Sequence, residues 1–544
     1  MDIDTGTVLT RYEDSGHLAR KSLCQELHEA GLRRPDHPAV VAHDARLTHA
    51  ELERAIARFA RDFAAWGLAE GDQVLVQLPN SAAYVVTLFA LMRIGAVPTL
   101  MLPSHRQAEV RALARELHPV AYIGGRDQLG FDCVEMVEQM DLDELGFRMI
   151  CADGGQPRAG AVPRILLLDP GAVPQEPIAP ITRWPHHRAV ALNLLSGGTT
   201  SEPKIIPRIH EAYAYNARAA ARRCRVGPDT VYMAVLSTSH DLPLAQPGLI
   251  GTLLGGGTVV MCLSAAFDEA FTAIEANRVT LTAVVPAVAE VWYEAAEWYP
   301  ADLSSLGQVI IGAAKLDEDL GRGLMDRLGV IIQQGYGLGE GITTFTRLDD
   351  PTPVVLSTQG KPISDADILR IVDPQGHDLG PGEPGEVIEK GPYTFFGYSG
   401  SRAGDDCFTE DGFFLTGDRG YLTEDGDLVI CGRVVEQINR LGENVSPQEV
   451  EQLLRQIPGV RGAAVFAMPD SALGERTVAA LVVEKEIDRG AVREEFMARG
   501  VARYKVPDQV FVVDAIPLTN IGKADKKPVS YTHLRAHETV LDLV

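Results

Sequence analysis

The chain has 544 residues, 46% hydrophobic and 6% aromatic, an ordinary globular composition with length for roughly two to four domains. Its net charge of −24 disfavours nucleic acid or an anionic membrane as the main partner, while a local basic pocket for a small anion stays open. No apolar run approaches the roughly 20 residues of a membrane span, and the acidic start "MDIDTGTVLTRYEDSG" lacks the basic and apolar blocks of a signal peptide.

Cytoplasm is therefore the expected compartment. Seven cysteines are scattered without a C-x-x-C, which reads as reduced thiols, not a disulfide framework or zinc site. In chain order, "LTHAELERAIARFARDFAAWGL" places Leu52, Ile56, Phe59, Phe63 and Trp66 at steps of four and three. That spacing predicts an amphipathic helix, with Thr48 and Glu51 as a capping box and Gly67 as its C-cap. "QVLVQLP" (73–79) predicts a buried strand, as do "VYMAVLS" (231–237), "TVVMCL" (258–263), "LTAVVP" (281–286), "QVIIG" (308–312) and "GVIIQQ" (329–334). Helical patterns lie between most of them, and such alternation implies α/β layers with largely parallel sheets.

From about 366 the texture becomes short strands separated by Gly, Asp and Pro turns, and "YLTEDGDLVI" reads as a hairpin turned at Asp425-Gly426. A helix pattern at 447–457 and the strand-like runs "GAAVFAMPD", "TVAALVVEKE" and "QVFVVDAIP" predict a compact α+β unit of roughly 100 residues. The boundary is expected near 432–436. No internal repeat or low-complexity segment is visible. Residues 529–544 carry no clear continuation of the domain and are read as a non-native or disordered tail.

The segment "LLSGGTTSEPK" (194–204) joins two glycines, several hydroxyls and a lysine. Backbone N–H groups of a Gly-rich turn converge on anions, so Ser196, Gly197, Gly198, Thr199, Thr200 and Lys204 suit a polyphosphate. The spacing is not that of a Walker A loop, since Pro203 precedes Lys204. Four further segments carry isolated polar groups: "QQGYGLGEG" (333–341), "FLTGDRG" (414–420) with Asp418, "CGRVVEQINRLGEN" (431–444) with Arg433, and "PLTNIGKADKK" (517–527) with Lys523.

These five motifs, in this order, resemble the acyl-adenylate-forming superfamily over about 10–528, and within it the stand-alone aryl-acid ligases. The resemblance implies a large N-terminal adenylation domain over 1–432, with layered α/β subdomains and a β-rich subdomain at about 366–432. It implies a small, mobile α+β C-terminal domain over 433–528. The implied reaction activates an aromatic acid with ATP and Mg²⁺ and transfers it to an aryl carrier protein; CoA is the rival acceptor, and a relative that only binds nucleotide is a third class. The protein is expected as a monomer or homodimer, without nucleic-acid or membrane partners.

The resemblance also implies roles. The 196–204 loop would hold the β- and γ-phosphates, and Glu340 with Thr199 would place the metal. Tyr336 would stack on adenine, flanked by Gly312, Ala313, Gln334, Gly335 and Gly337. Asp418 would take the ribose hydroxyls with Arg433 assisting. Lys523 would bridge the acid and the α-phosphate, and His240 would lie close to both. Asp241, Leu242, Gln246, Ala314, Gly335, Leu338 and Thr343 would line the acid pocket. Asp241 and Leu242 replace the Asn and Tyr of the relatives, Gly335 replaces Val, and Gln246 replaces Ser. A carboxylate only accepts hydrogen bonds, so Asp241 favours an ortho-amine, a 2-aminobenzoate, over the 2-hydroxybenzoates that are the alternative; a contact of Asp241 with protein alone is the other reading. The glycine at 335 predicts a pocket widened on that side. Val435, where the relatives carry a polar hinge residue, leaves thioester formation less certain than adenylation.

Overall fold

The computed structural model describes residues 5–127, 130–154, 156–167, 169–173, 183–196, 204–400, 407–433, 437–470, 472–485, 487–513 and 516. Gly197, Gly198, Thr199, Thr200, Val435, Lys523 and the 529–544 tail lie outside the described residues. The chain divides into two compact units, Met1–Pro103 with Leu113–Ser196 and Lys204–Val434, and Ser104–Ala112 with Gly197–Pro203 and Val435–Val544.

Among the described residues the first unit holds three sheets. One has seven strands, and Gln73–Gln77 lies at its centre between parallel neighbours Val97–Leu100 and Ala121–Gly124. The second has nine strands, of which Val231–Ala234, Thr258–Met261, Leu281–Val284, Gln308–Ile311 and Ile331–Gly337 run parallel in the middle. The third is a four-stranded antiparallel sheet of Ile368–Val372, Gly385–Lys390, Phe414–Leu422 and Leu428–Arg433. The apolar runs are short and continuous because these parallel strands are covered on both faces.

Local chemistry starts and stops the elements as the pattern predicts. His49–Ala65 is helical, the capping box of Thr48 and Glu51 is formed, and Leu52, Ile56, Phe59 and Phe63 are buried. Gly67, just past Trp66, takes the left-handed conformation (φ +97°) that suits glycine there. The 423–427 turn is longer than a two-residue hairpin: Gly426 (φ +82°) donates to the Thr423 carbonyl, so the left-handed residue sits inside a five-residue loop.

Helix Ala82–Arg93 is buried from Ala82 through Met92, and one continuous core joins it to Val74 and Ile123 of the seven-stranded sheet and Val40 and Val259 of the nine-stranded sheet. Each fully buried Val, Leu or Phe there contributes about 1.5–3 kcal/mol. Among the described residues no helix is long and apolar enough to cross a membrane.

In the second unit, Val460–Asp470 and Gly474–Val483 form a long antiparallel hairpin, with Gln509–Val512 parallel to the latter. Helices Pro447–Arg455 and Arg489–Ala498 supply Val450, Leu454, Val492 and Phe496 to its own core.

Candidate active site

Strands Val190–Ser196 and Lys204–Ile209 are antiparallel, and Ser196 pairs directly with Lys204. Lys204 Nζ lies 3.3 Å from the Tyr398 hydroxyl and 4.8 Å from the centre of its ring. The same hydroxyl donates to Glu340 Oε1 at 2.9 Å. A cation and a carboxylate 136 residues apart in sequence are joined through one tyrosine. Glu340 is buried, and its carbonyl accepts from the Phe395 amide.

Asp418 and Arg433 are cross-strand partners, and Arg433 Nε meets Asp418 Oδ1 at 2.9 Å. The Tyr336 hydroxyl donates to Asp418 Oδ2 at 2.7 Å. Burial and the Asp418 charge together hold the Tyr336 phenol well above its ordinary range, so it acts as a donor. Three residues expected around the adenosine therefore form one connected unit.

The loop expected to line the acid pocket is fixed from behind. The Asn80 amide donates to the carbonyls of Ala234, Leu236 and Cys262, and its Oδ1 accepts from the Thr238 amide and hydroxyl. The Tyr84 hydroxyl donates to the Thr238 carbonyl at 2.8 Å. These bonds anchor the turn that presents His240 at the start of helix Asp241–Ala245. Asp241 Oδ1 accepts from the Tyr213 hydroxyl at 2.6 Å, and Oδ2 accepts from the Gln246 amide. Burial pushes the Asp241 carboxyl up from its ordinary range, against the opposing pull of Arg208. Arg208 is itself buried, donates to the Gly339 and Tyr393 carbonyls at 2.7 Å each, and lies 5.1 Å from the Tyr213 ring centre.

The expected pocket residues converge in part. A side-chain carbon added to Gly312 would stand 3.2 Å from the Gly335 carbonyl and 3.5 Å from Leu242, and one added to Gly337 would stand 2.5 Å from Gln246 Oε1. Thr343, opposite Gly337 in the sheet, is fully buried with Oγ1 unpartnered among the described residues. Ala313 is left-handed (φ +66°), and both it and Ala314 are exposed. The Leu338 amide donates to the Ile342 carbonyl, closing the 338–342 turn that carries Glu340.

Two expectations need correction. Gln334 does not present its side chain to a nucleotide: it is buried, its amide donates to the Val355 carbonyl at 2.7 Å, and its Oε1 accepts from Gln359. The glycine at 335 does not widen the pocket either. A carbon added there would lie 2.4 Å from Phe345 Cε1, so the phenyl ring of the neighbouring strand already fills that space.

Tyr213, Arg208, Tyr398 and Phe345 were not foreseen. Arg208 and Tyr213 follow Lys204 within nine residues, but nothing local distinguishes them from surface or core residues.

Comparison with known proteins gives the family. Residues 27–399 match the family described as AMP-binding enzyme, and residues 449–523 match the AMP-binding enzyme C-terminal domain. The salicyl-AMP ligase / salicyl-S-ArCP synthetase of Mycobacterium tuberculosis is 38% identical over 95% of this chain and 92% of its own length. The 2,3-dihydroxybenzoate-AMP ligase of Bacillus subtilis is 37% identical over 95% and 94%. The apo structure of Mycobacterium smegmatis MbtA superposes with a TM-score of 0.70 at 36% identity, covering 96% of this chain and 97% of that one. The chain belongs to the AMP-binding enzyme family and is an AMP-forming acid ligase with that family's large and small domains.

Proposed function

We propose that this protein activates an aromatic carboxylic acid as its acyl-adenylate and passes it to the phosphopantetheine thiol of an aryl carrier protein, as in siderophore or related nonribosomal biosynthesis. The acid proposed is a 2-aminobenzoate, anthranilate or 3-hydroxyanthranilate. The observation that carries this choice is the bonding of Asp241. Each of its oxygens accepts one hydrogen bond from protein, and an ionised carboxylate has about four acceptor positions. Acceptor capacity therefore remains for an ortho N–H. Because the Gln246 amide is turned toward Asp241, its Oε1 faces the Gly337 backbone and adds a second acceptor to that wall.

The chemistry needs little beyond positioning and charge neutralisation. The acid carboxylate attacks the α-phosphorus of ATP, and pyrophosphate leaves with the electron pair of the broken P–O bond. Lys204 and the loop before it would hold the β- and γ-phosphates, Asp418 with Arg433 the ribose, Tyr336 the adenine, and Lys523 the carboxylate and α-phosphate. Among the described residues only Oε1 of Glu340 carries a hydrogen bond. Its Oε2 is a hard oxygen donor of the kind Mg²⁺ prefers, and the cation when bound would neutralise phosphate charge.

A second reading is a 2-hydroxybenzoate. Burial favours the protonated form of Asp241, a protonated carboxyl donates to a phenol oxygen, and the relatives are named for salicylate and 2,3-dihydroxybenzoate. ATP–pyrophosphate exchange with anthranilate, 3-hydroxyanthranilate, salicylate and 2,3-dihydroxybenzoate separates the two. Preference for the amines supports the first reading and preference for the phenols the second. Exchange with none of these acids, or with aliphatic acids instead, overturns both.

A further inference from the structure

Helix His210–Arg223 ends in three arginines, Arg218, Arg222 and Arg223. They line a cavity of about 470 Å³ together with His17, Tyr215, Ser364 and one carboxylate, Asp365. Cations near a helix C-terminus stabilise its dipole, so their position alone makes no site. Charge balance and hydroxyl chemistry add to it. Arg218 pairs with Glu26, while Arg223 lies 4.0 Å from Asp365, whose side chain is fully exposed. Arg222 is exposed and has no carboxylate partner among the described residues; its guanidinium carbon lies 5.8 Å from the Tyr215 ring centre, and that of Arg218 lies 6.0 Å away. Arg223 Nε is buried with no partner among the described residues. A local excess of cation thus stands on a chain of net charge −24.

The two hydroxyls supply a neutral donor. Tyr215 and Ser364 are 5% and 6% exposed, and their oxygens are 2.7 Å apart. Only one of the two protons can lie between them. Ser364 Oγ also accepts from the Ala366 amide, so whichever hydroxyl donates inward, the other keeps a proton to give. Guanidinium groups with a hydroxyl donor match a tetrahedral oxyanion, since arginine presents its N–H groups in pairs. The volume is that of a small-molecule pocket and exceeds what a lone ion needs. Tyr215 and Ile363 offer an apolar wall beside the cations.

We propose that this cavity binds the phosphate of a phosphorylated small molecule, with Arg222 as the principal cation, Arg218 and Arg223 flanking it, and the organic part against Tyr215 and Ile363. It lies outside the adenylation residues described above and is independent of which acid is activated.

The test titrates the intact protein at low ionic strength, where such contacts are least screened, with ribose 5-phosphate, inorganic phosphate and unphosphorylated ribose. Heat and ³¹P line width are the readouts. Ribose 5-phosphate should bind and ribose should not. Arg222→Glu, a change at an exposed position, should weaken binding by about tenfold or more while leaving ATP–pyrophosphate exchange at the wild-type rate. Inorganic phosphate binding as tightly as the ester would identify the free ion as the source and keep the oxyanion site. Absence of binding to wild type at millimolar ligand, or equal binding by wild type and Arg222→Glu, overturns the proposal.

Discussion

Phe345 occupies the space that a side chain at residue 335 would fill. The two residues are cross-strand partners, Phe345 is 1% exposed, and the ring edge stands 2.4 Å from where a carbon on Gly335 would lie. Glycine at 335 and phenylalanine at 345 are thus one packing solution.

Gly335→Val should therefore destabilise the large domain. Overpacking a closed core costs about 1–3 kcal/mol. Combining it with Phe345→Ala should recover part of that loss, because residues in contact couple. Thermal unfolding of both single variants and the double variant checks this. Strictly additive losses would show that the ring and the glycine do not share one space.

Asp241→Asn should shift preference toward 2-hydroxybenzoates. The amide can donate to a phenol oxygen where the carboxylate only accepts. Losing a charged hydrogen bond to an ortho-amine is worth roughly 1.5–3 kcal/mol, about 10- to 150-fold in relative kcat/KM. Tyr213→Phe, which removes a donor to Asp241 but not the carboxylate, should leave the ranking of acids unchanged. An unchanged ranking in Asp241→Asn as well would remove Asp241 from acid selection.

Asp418→Asn should raise KM for ATP by about tenfold or more with little effect on KM for the acid. The substitution takes a charged acceptor from the proposed ribose position and leaves Arg433 without its counter-charge. Tyr336→Phe should have a smaller effect, since the carboxylate and its arginine remain. Initial-rate measurements with each substrate varied in turn distinguish these outcomes; equal changes in both KM values would point to a general loss of fold.

The Glu13–Glu211 pair should make stability pH-dependent. Burial, together with the neighbouring Glu13 charge, pushes Glu211 up to about 7, while hydrogen bonds from Arg188 and Arg20 hold Glu13 below the carboxylate range. His187 Nε2 also faces Glu13 at 3.4 Å. Between pH about 4.5 and about 7, the folded pair keeps a proton that the unfolded chain has released. Its contribution to stability therefore falls as pH rises through that window, by at most about 1.4 kcal/mol per pH unit. Below it, Glu13 reverses the sign, since its stabilisation is lost as pH falls through its lowered pKa. Glu211→Gln should reduce the upper slope, to which Asp367 and Glu389, pushed up by burial to about 7 and about 8, also contribute, and should keep the lower one; denaturant unfolding of both proteins from about pH 2.5 to 8 would read both.

Much of the architecture was legible in the chain itself. Helix His49–Ala65 is written in the spacing of Leu52, Ile56, Phe59 and Phe63 and in the capping box at Thr48, because those signals act within one or two turns. The central strands of the nine-stranded sheet follow from short apolar runs, and the order of the Gly-rich and charged motifs indicated acid adenylation. Asp418 and Arg433 stand in two of the quoted motifs, and the structure pairs them across neighbouring strands.

Only the tertiary structure decided how those groups are held. Lys204 meets Glu340 through Tyr398, Asp241 is bonded by Tyr213, and the loop before His240 hangs on Asn80. Each of these partnerships joins segments more than 25 residues apart, beyond the reach of any local periodicity. Gln334 has the residue type of a nucleotide contact, but its side chain is spent on Val355 and Gln359. Gly335 looked like open space until Phe345 was found to fill it. A sequence specifies which side chains are available. Whether a side chain faces a ligand or a neighbour is set by strand register and packing, since a residue's direction in a sheet depends on the partner it is paired with.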